Sequence, residues 1–450
     1  MEEILLKQEL FFNSYQTFDV SFRKAMLKKL RQMILKNEDD IYHALELDLG
    51  KSNFESYMCE VGLALSELTY MEKYVRTFSK AKTVRTPISQ FLSHSYTLPS
   101  PYGNVLIMSP WNYPFLLSLG PMIDAIAAGN TVILKPSEYS VHTSSLIHKM
   151  ISETFDSEYI YVALGDSTVS SSLLDLRFDK IFFTGSKRVG QIVMEKASKH
   201  LTDVTLELGG KCPCILDKEV DIRMAARRIV FGKYLNCGQT CVAPDYVLCH
   251  ESIKDKFIEC VKSEISEQYA SLSDYGHIIN EKHFNRILRI IDFNKVVHGG
   301  KYDIGTLTIE PTVMDHVTFE DAIMSEEIFG PVLPILTFTD LDYAIDKINS
   351  MPSPLALYMF SNNKQNISKV MNYCQYGGGC INDVVIHLAT NYMGFGGVKE
   401  SGMGSYHGKA GFDCFSHTKS IVDKKTIIDL PMRYSPYTLL HDKLIRFFLK

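Results

Sequence analysis

Four short segments hold side chains that could do covalent chemistry. In Asn236-Cys237-Gly238-Gln239-Thr240-Cys241-Val242-Ala243-Pro244, a cysteine follows a glycine-containing turn and opens toward a strand at 246–249. That placement suits an exposed thiolate, the nucleophilic form of cysteine, although most cysteines are simply small buried side chains. In 204–211, Glu207 ends an apolar strand beside the double glycine 209–210. A carboxylate next to a core must be paired, solvated or functional. The segment Ser109-Pro110-Trp111-Asn112-Tyr113-Pro114 places an amide and the only tryptophan after a strand, and 324–331 contributes Glu327 and Phe329. Singly, each has an ordinary reading: Glu207 as a cap or ion-pair carboxylate, Asn112 as a turn residue, Cys241 as packing.

A fifth segment has a binding rather than a reacting character. Phe183-Thr184-Gly185-Ser186-Lys187-Arg188-Val189-Gly190 follows a strand and opens a helix. Ser186 suits an N-cap, and the free N–H groups at the positive end of the helix dipole suit a pyrophosphate. The spacing is not GxGxxG, so the dinucleotide signal is weak on its own.

The elements that must position these groups are legible from periodicity. Residues 1–80 read as helices, with Met26, Leu27, Leu30, Met33 and Ile34 at helical spacing. Residues 83–101 are proline-bearing and β-prone, with a protruding strand at 91–98. Apolar strands at 104–108, 131–135, 159–164, 180–184 and 204–208 then alternate with helices at 115–128, from 141, and at 187–200. That alternation predicts a parallel sheet covered on both faces, which binds ligands at its carboxyl ends. Residues 209–402 mix helices and strands again and predict a second α/β domain. At the end, Leu439, Leu440, Leu444, Ile445, Phe447 and Phe448 alternate with Lys443, Arg446 and Lys450 as a short basic amphipathic helix. It could cover the substrate mouth, meet a partner subunit or touch a membrane surface weakly; packing is preferred, since one such helix binds membranes only modestly.

Composition narrows the class. At 450 residues the chain is long enough for two or three domains. A net charge of −5 gives no electrostatic reason to expect nucleic acid. The start Met1-Glu2-Glu3 is acidic where a secretory signal would be basic, and no apolar run approaches the ~18 residues a membrane span needs. A cytoplasmic protein is expected. Its ten cysteines are scattered, which suits reduced thiols better than a disulfide scaffold, and they lack zinc-site spacing, so no metal is expected.

Taken together and in this order, the segments around Asn112, Glu207, Cys241 and Glu327 resemble the aldehyde dehydrogenase superfamily over nearly the whole chain. The string Gly238–Tyr246 and the ending Phe412–His417 look like its class 3, fatty-aldehyde-dehydrogenase-like branch, bacterial in type. The resemblance implies an α/β fold with a Rossmann-type cofactor domain (1–82 and 102–208), an α/β catalytic domain (209–402), a small β oligomerisation element (83–101 and 403–425) and a tail (426–450). It implies NAD(P)-dependent oxidation of apolar aldehydes to acids, with Cys241 as nucleophile, Asn112 and the Cys241 N–H as oxyanion donors, and Glu207 as the base that hydrolyses a thioester. It assigns the cofactor to Gly185, Ser186 and Gly190, to Lys135 and Glu138 at the adenosine ribose, and to Glu327 and Phe329 at the nicotinamide ribose. NAD is the first choice, because a glutamate near the 2′ position repels a 2′-phosphate; NADP is also accepted in this branch. A homodimer is implied. The alternatives are a coenzyme-A-acylating enzyme, which would lack the base, and a non-catalytic protein of the same fold. Cys237 stands where the family commonly has no thiol, and it is a candidate partner for Cys241 in a reversible disulfide.

Overall fold

The structure is a computed structural model and describes residues 1–430 and 433–449. Two sheets dominate it. The first has six strands in the order Gly402–Met403, Asp203–Leu208, Lys180–Gly185, Asn104–Met108, Thr131–Lys135, Ile160–Val162. All neighbours are parallel except the short Gly402–Met403 edge. The five parallel strands therefore run 3-2-1-4-5 in sequence order, the doubly wound arrangement whose crevice opens where the order reverses. That reversal falls between Asn104–Met108 and Lys180–Gly185.

These strands read as continuous apolar runs because both faces are covered: Leu106, Ile107, Ile133, Leu134 and Phe182 are fully buried. On one face lies the helix Leu116–Ala128, nearly all of it buried and closed by Gly129 in the left-handed region at φ 99°. The N-terminal helices pack there too, with Leu27, Leu30, Leu45, Leu68 and Met71 in the same core as Ile107 and Leu119. On the other face the helix Lys187–Ser198 packs Val193 and Ala197 against Leu206 and Leu208.

The second sheet has seven strands, ordered Val296–His298, Thr312–Met314, Val332–Phe338, Tyr246–His250, Pro213–Leu216, Ala356–Phe360, Gly378–Ile381. All pair in parallel except Val296–His298. The chain passes from the first sheet to the second across Gly209–Cys212, and returns to the first at Gly402–Met403. A third, antiparallel sheet joins Lys82–Val84, Ser93–Pro101 and Ser416–Lys424, the last two paired over nine residues.

The strand expected at 91–98 is Ser93–Pro101. Residues 403–415, read from the sequence as part of the β element, are divided in the structure. Gly402–Met403 edges the first sheet, and the helix Gly408–Cys414 packs Phe412 into the core with Leu119. The closing helix Leu439–Phe448 forms as expected, its first turn capped by Thr438 Oγ1, and none of its residues is buried. Lys450, counted in its basic face, lies outside the described residues, as do Pro431 and Met432 of the tail.

Candidate active site

A cavity of about 730 Å³ opens between the two large sheets. One wall is the switch point of the first sheet: Pro110, Trp111 and Asn112 follow Asn104–Met108, and Thr184–Arg188 follow Lys180–Phe183. The other wall is made of loops that enter the second sheet, namely Gly209–Lys211, Cys241, Glu326, Glu327 and Phe329. Of the ten residues singled out in the sequence, seven line this space: Asn112, Gly185, Ser186, Glu207, Cys241, Glu327 and Phe329.

Cys241 sits in a loop held by backbone that is otherwise costly. Asn236 and Cys237 adopt left-handed φ of 51° and 53°, and the Gln239 amide bonds both to the Asn236 and to the His277 carbonyls. Asn112 Nδ2 donates to the Gln239 carbonyl at 2.9 Å, and Tyr113 shares a 2.5 Å hydrogen bond with Thr240. The amide has two N–H groups, so one remains for a ligand. Burial pushes the Cys241 thiol up to about 12, helped by the nearby Glu327 and Glu207 charges; the N–H groups of Cys241 and Val242 favour the thiolate against this.

Glu207 is fully enclosed, and neither carboxylate oxygen has a hydrogen-bond partner among the described residues. Desolvation alone pushes its carboxyl well above the usual range. A buried, unpaired carboxylate costs stability, and such groups concentrate where a proton must be taken up or passed on. Cys237, by contrast, is not on the cavity wall. Its thiol meets Tyr275 and lies near Glu55, while the thiol that approaches the Cys241 backbone is Cys212, donating to the Cys241 carbonyl at 3.3 Å.

The cofactor half fits a dinucleotide by its backbone. The Gly190 N–H is the first in its helix to bond back, to the Ser186 carbonyl at 2.9 Å, so the preceding N–H groups at 187–189 have no helical acceptor. Ser186 occupies the N-cap, but its hydroxyl makes no capping bond. The Thr184 hydroxyl beside it is likewise unpartnered among the described residues. Gly209 is needed for close approach: a Cβ there would stand 2.1 Å from Glu327 Oε2. Burial first, then Asp245, pushes Glu327 up to about 8. Gly190 packs its helix on the sheet, since a Cβ would meet Leu208 at 2.9 Å. Lys135 and Glu138 lie beyond the cavity wall at the end of the neighbouring strand. Lys135 is buried, donating to the Pro136 carbonyl at 2.8 Å and standing 3.8 Å from Glu138.

Four further lining residues were not among the candidate site residues. His283 packs on Trp111 at 4.9 Å between ring centroids, and burial pushes its imidazole down to about 4. Arg286 holds the Glu327–Ile328 carbonyls. Phe395 and Tyr406, 6.1 Å apart, arrive from the end of the chain.

A doubly wound sheet with an open helix N-terminus, facing a cysteine and an unpaired glutamate across one cavity, suits a dinucleotide-dependent dehydrogenase. The match to the aldehyde dehydrogenase family over residues 6–421 makes this specific: the chain belongs to that family, and so is an NAD(P)-dependent oxidoreductase of aldehydes. It is 46% identical over 443 residues to the 4,4'-diaponeurosporen-aldehyde dehydrogenase of Staphylococcus aureus (97% of this chain, 96% of that one). It is 45% identical over 424 residues to the dimeric, NADP-preferring aldehyde dehydrogenase of Rattus norvegicus (92% and 93%). Among solved structures, it matches the substrate-bound state of a Staphylococcus aureus AldH with a TM-score of 0.97 at 46% identity, covering 100% and 99%.

Proposed function

We propose that this enzyme converts apolar, medium- to long-chain aldehydes to free carboxylic acids through a thioester on Cys241. The observation that carries the reading is Glu207, buried and unpaired in the same cavity as the cysteine. The Cys241 thiolate adds to the aldehyde carbon. The free Asn112 Nδ2–H receives the resulting oxyanion, a contact of the kind worth about 3–4 kcal/mol in the transition state. The Cys241 N–H is assigned to the oxyanion as well. Gly185, Ser186 and the helix N-terminus would hold the cofactor pyrophosphate, with Glu327 and Phe329 at the nicotinamide end. When bound, the cofactor brings a formal positive charge into the cavity, which favours the thiolate, and it accepts the hydride. Glu207 then takes a proton from water, the hydroxide attacks the thioester carbonyl, and the acid leaves as the Cys241 sulfur is released. A carboxylate in this position counts against coenzyme A as the acyl acceptor.

The apolar lining (Trp111, Leu117, Leu355, Phe395) supports an apolar substrate, and so does the 4,4'-diaponeurosporen-aldehyde in the name of the Staphylococcus aureus relative. The nine-residue edge Ser416–Lys424 and the word "dimeric" in the rat relative's name support a homodimer. All ten cysteines are free, and no described helix is long and apolar enough to cross a membrane, which suits a reducing, cytoplasmic setting. The test is steady-state kinetics over aldehydes of increasing chain length with NAD and NADP, beside Cys241→Ala. Turnover should rise in efficiency with chain length and fall at least about 10⁴-fold in the variant. A variant that still reduces the cofactor at the parent rate overturns the assignment.

A further inference from the structure

Behind the loop that presents Asn112 lies a buried ion pair with no part in the reaction chemistry above. The side chains of Lys51 and Glu60 are both wholly buried. Lys51 Nζ donates to Glu60 Oε1 at 2.5 Å and to the Asn112 carbonyl at 3.0 Å, and it stands 4.0 Å from the centroid of the Tyr113 ring. The second oxygen of Glu60 accepts the N–H groups of Phe115 at 2.8 Å and Leu116 at 3.1 Å, the start of the buried helix Leu116–Ala128. One ion pair thus grips Asn112, Tyr113, Phe115 and Leu116 together.

The nucleophile loop is tied to the same point. Asn236 Nδ2 donates to the Asn112 carbonyl at 2.7 Å, and the Asn236 N–H is held by Glu55 at 2.9 Å. The Asn112 carbonyl therefore receives one donor from Lys51 and one from the cysteine loop, while its side chain bonds the Gln239 carbonyl of that loop. Rotation of this peptide would move the oxyanion donor and the loop of the thiol at once.

Burying two charges is a poor route to stability. Desolvation offsets much of the attraction, and an apolar pair of similar volume commonly serves as well or better. What an apolar pair cannot do is hold a carbonyl in one orientation. We infer that Lys51, together with Glu60, is a positioning residue for aldehyde oxidation, fixing the Asn112 peptide so that the side-chain amide stays aimed at the aldehyde oxygen. The inference rests on the roles given to Cys241 and Asn112 above. Misplacement by about 1 Å at such a group costs on the order of 100-fold in rate.

The experiment compares the parent with Lys51→Met/Glu60→Met, Asn112→Ala and all three changes combined, measuring Tm, the Kd for NAD, and kcat/KM. The apolar pair should melt close to the parent and bind NAD unchanged, yet lose about 100-fold in kcat/KM. In the Asn112→Ala background the same pair should cause less than about threefold further loss, because the group it positions is already gone. Losses that multiply, or an apolar pair within about twofold of the parent, overturn the inference. If Asn112→Ala itself retains parent activity, the site assignment fails and the inference that rests on it falls with it; parent-like activity in the apolar pair alone overturns only the positioning. Should the apolar pair not fold, Glu60→Gln keeps the volume and enters the same cycle, with an expected loss of about tenfold and the same criterion of non-additivity.

Discussion

The two walls of the cavity are built in different ways. The wall on the first sheet is largely backbone: strand ends, the Gly185 turn, and a helix start whose N–H groups have no acceptor. Its geometry follows from the doubly wound strand order itself. The loop that holds the thiol is fixed by side chains: Gln239 and Asn236 are committed to buried hydrogen bonds, Asn112 and Tyr113 reach across from the first sheet to bond it, and two of its residues are in left-handed backbone. A wall of backbone tolerates exchange of side chains; a wall of interlocked side chains does not. The cofactor side should therefore yield gradually to mutation and the catalytic side abruptly.

Glu207→Gln should give the largest effect of the substitutions that keep the thiol, about 10³-fold in kcat, because hydrolysis loses its base. It also carries a pH signature. The base proposed at Glu207 works deprotonated and burial raises its pKa, so activity should fall as pH drops through a value above the usual carboxylate range. That acidic limb should vanish in the variant, as a pH profile of kcat would record; an unchanged limb would assign the titration elsewhere. Asn112→Ala should cost about 10²–10³-fold in kcat/KM with cofactor affinity unaltered, the measure of one oxyanion donor. At the cofactor end, Ser186→Ala removes one hydroxyl from a site served by several N–H groups. It should raise the KM for NAD by only about threefold, in line with a net hydrogen bond of about 0.5–1.5 kcal/mol. An effect of 100-fold there would erase the contrast between the walls.

The same contrast explains what was legible beforehand. Strand ends and glycine turns leave local patterns, so Asn112, Gly185, Ser186, Glu207, Cys241, Glu327 and Phe329 could be found and the structure brings them to one cavity. Lys51, Glu60, His283, Arg286 and Tyr406 reach the site from distant elements, and nothing in their own neighbours along the chain marks them. Lys51 reads as one more surface lysine after a helix until the fold closes over it. Gly402–Met403 is too short for any periodicity to reveal that it edges the first sheet, which is why 403–415 was assigned to the β element. Lys135, at the end of an apolar strand, could have been exposed; the packing of neighbouring strands buries it.

The thioester is the centre of this account, and it can be trapped. Glu207→Gln incubated with NAD and a long-chain aldehyde, then denatured and digested, should show the peptide bearing Cys241 heavier by one acyl group, released as the carboxylic acid by hydroxylamine-free base. Acylation at any other of the ten cysteines, or none at Cys241 while NADH is formed, would contradict it.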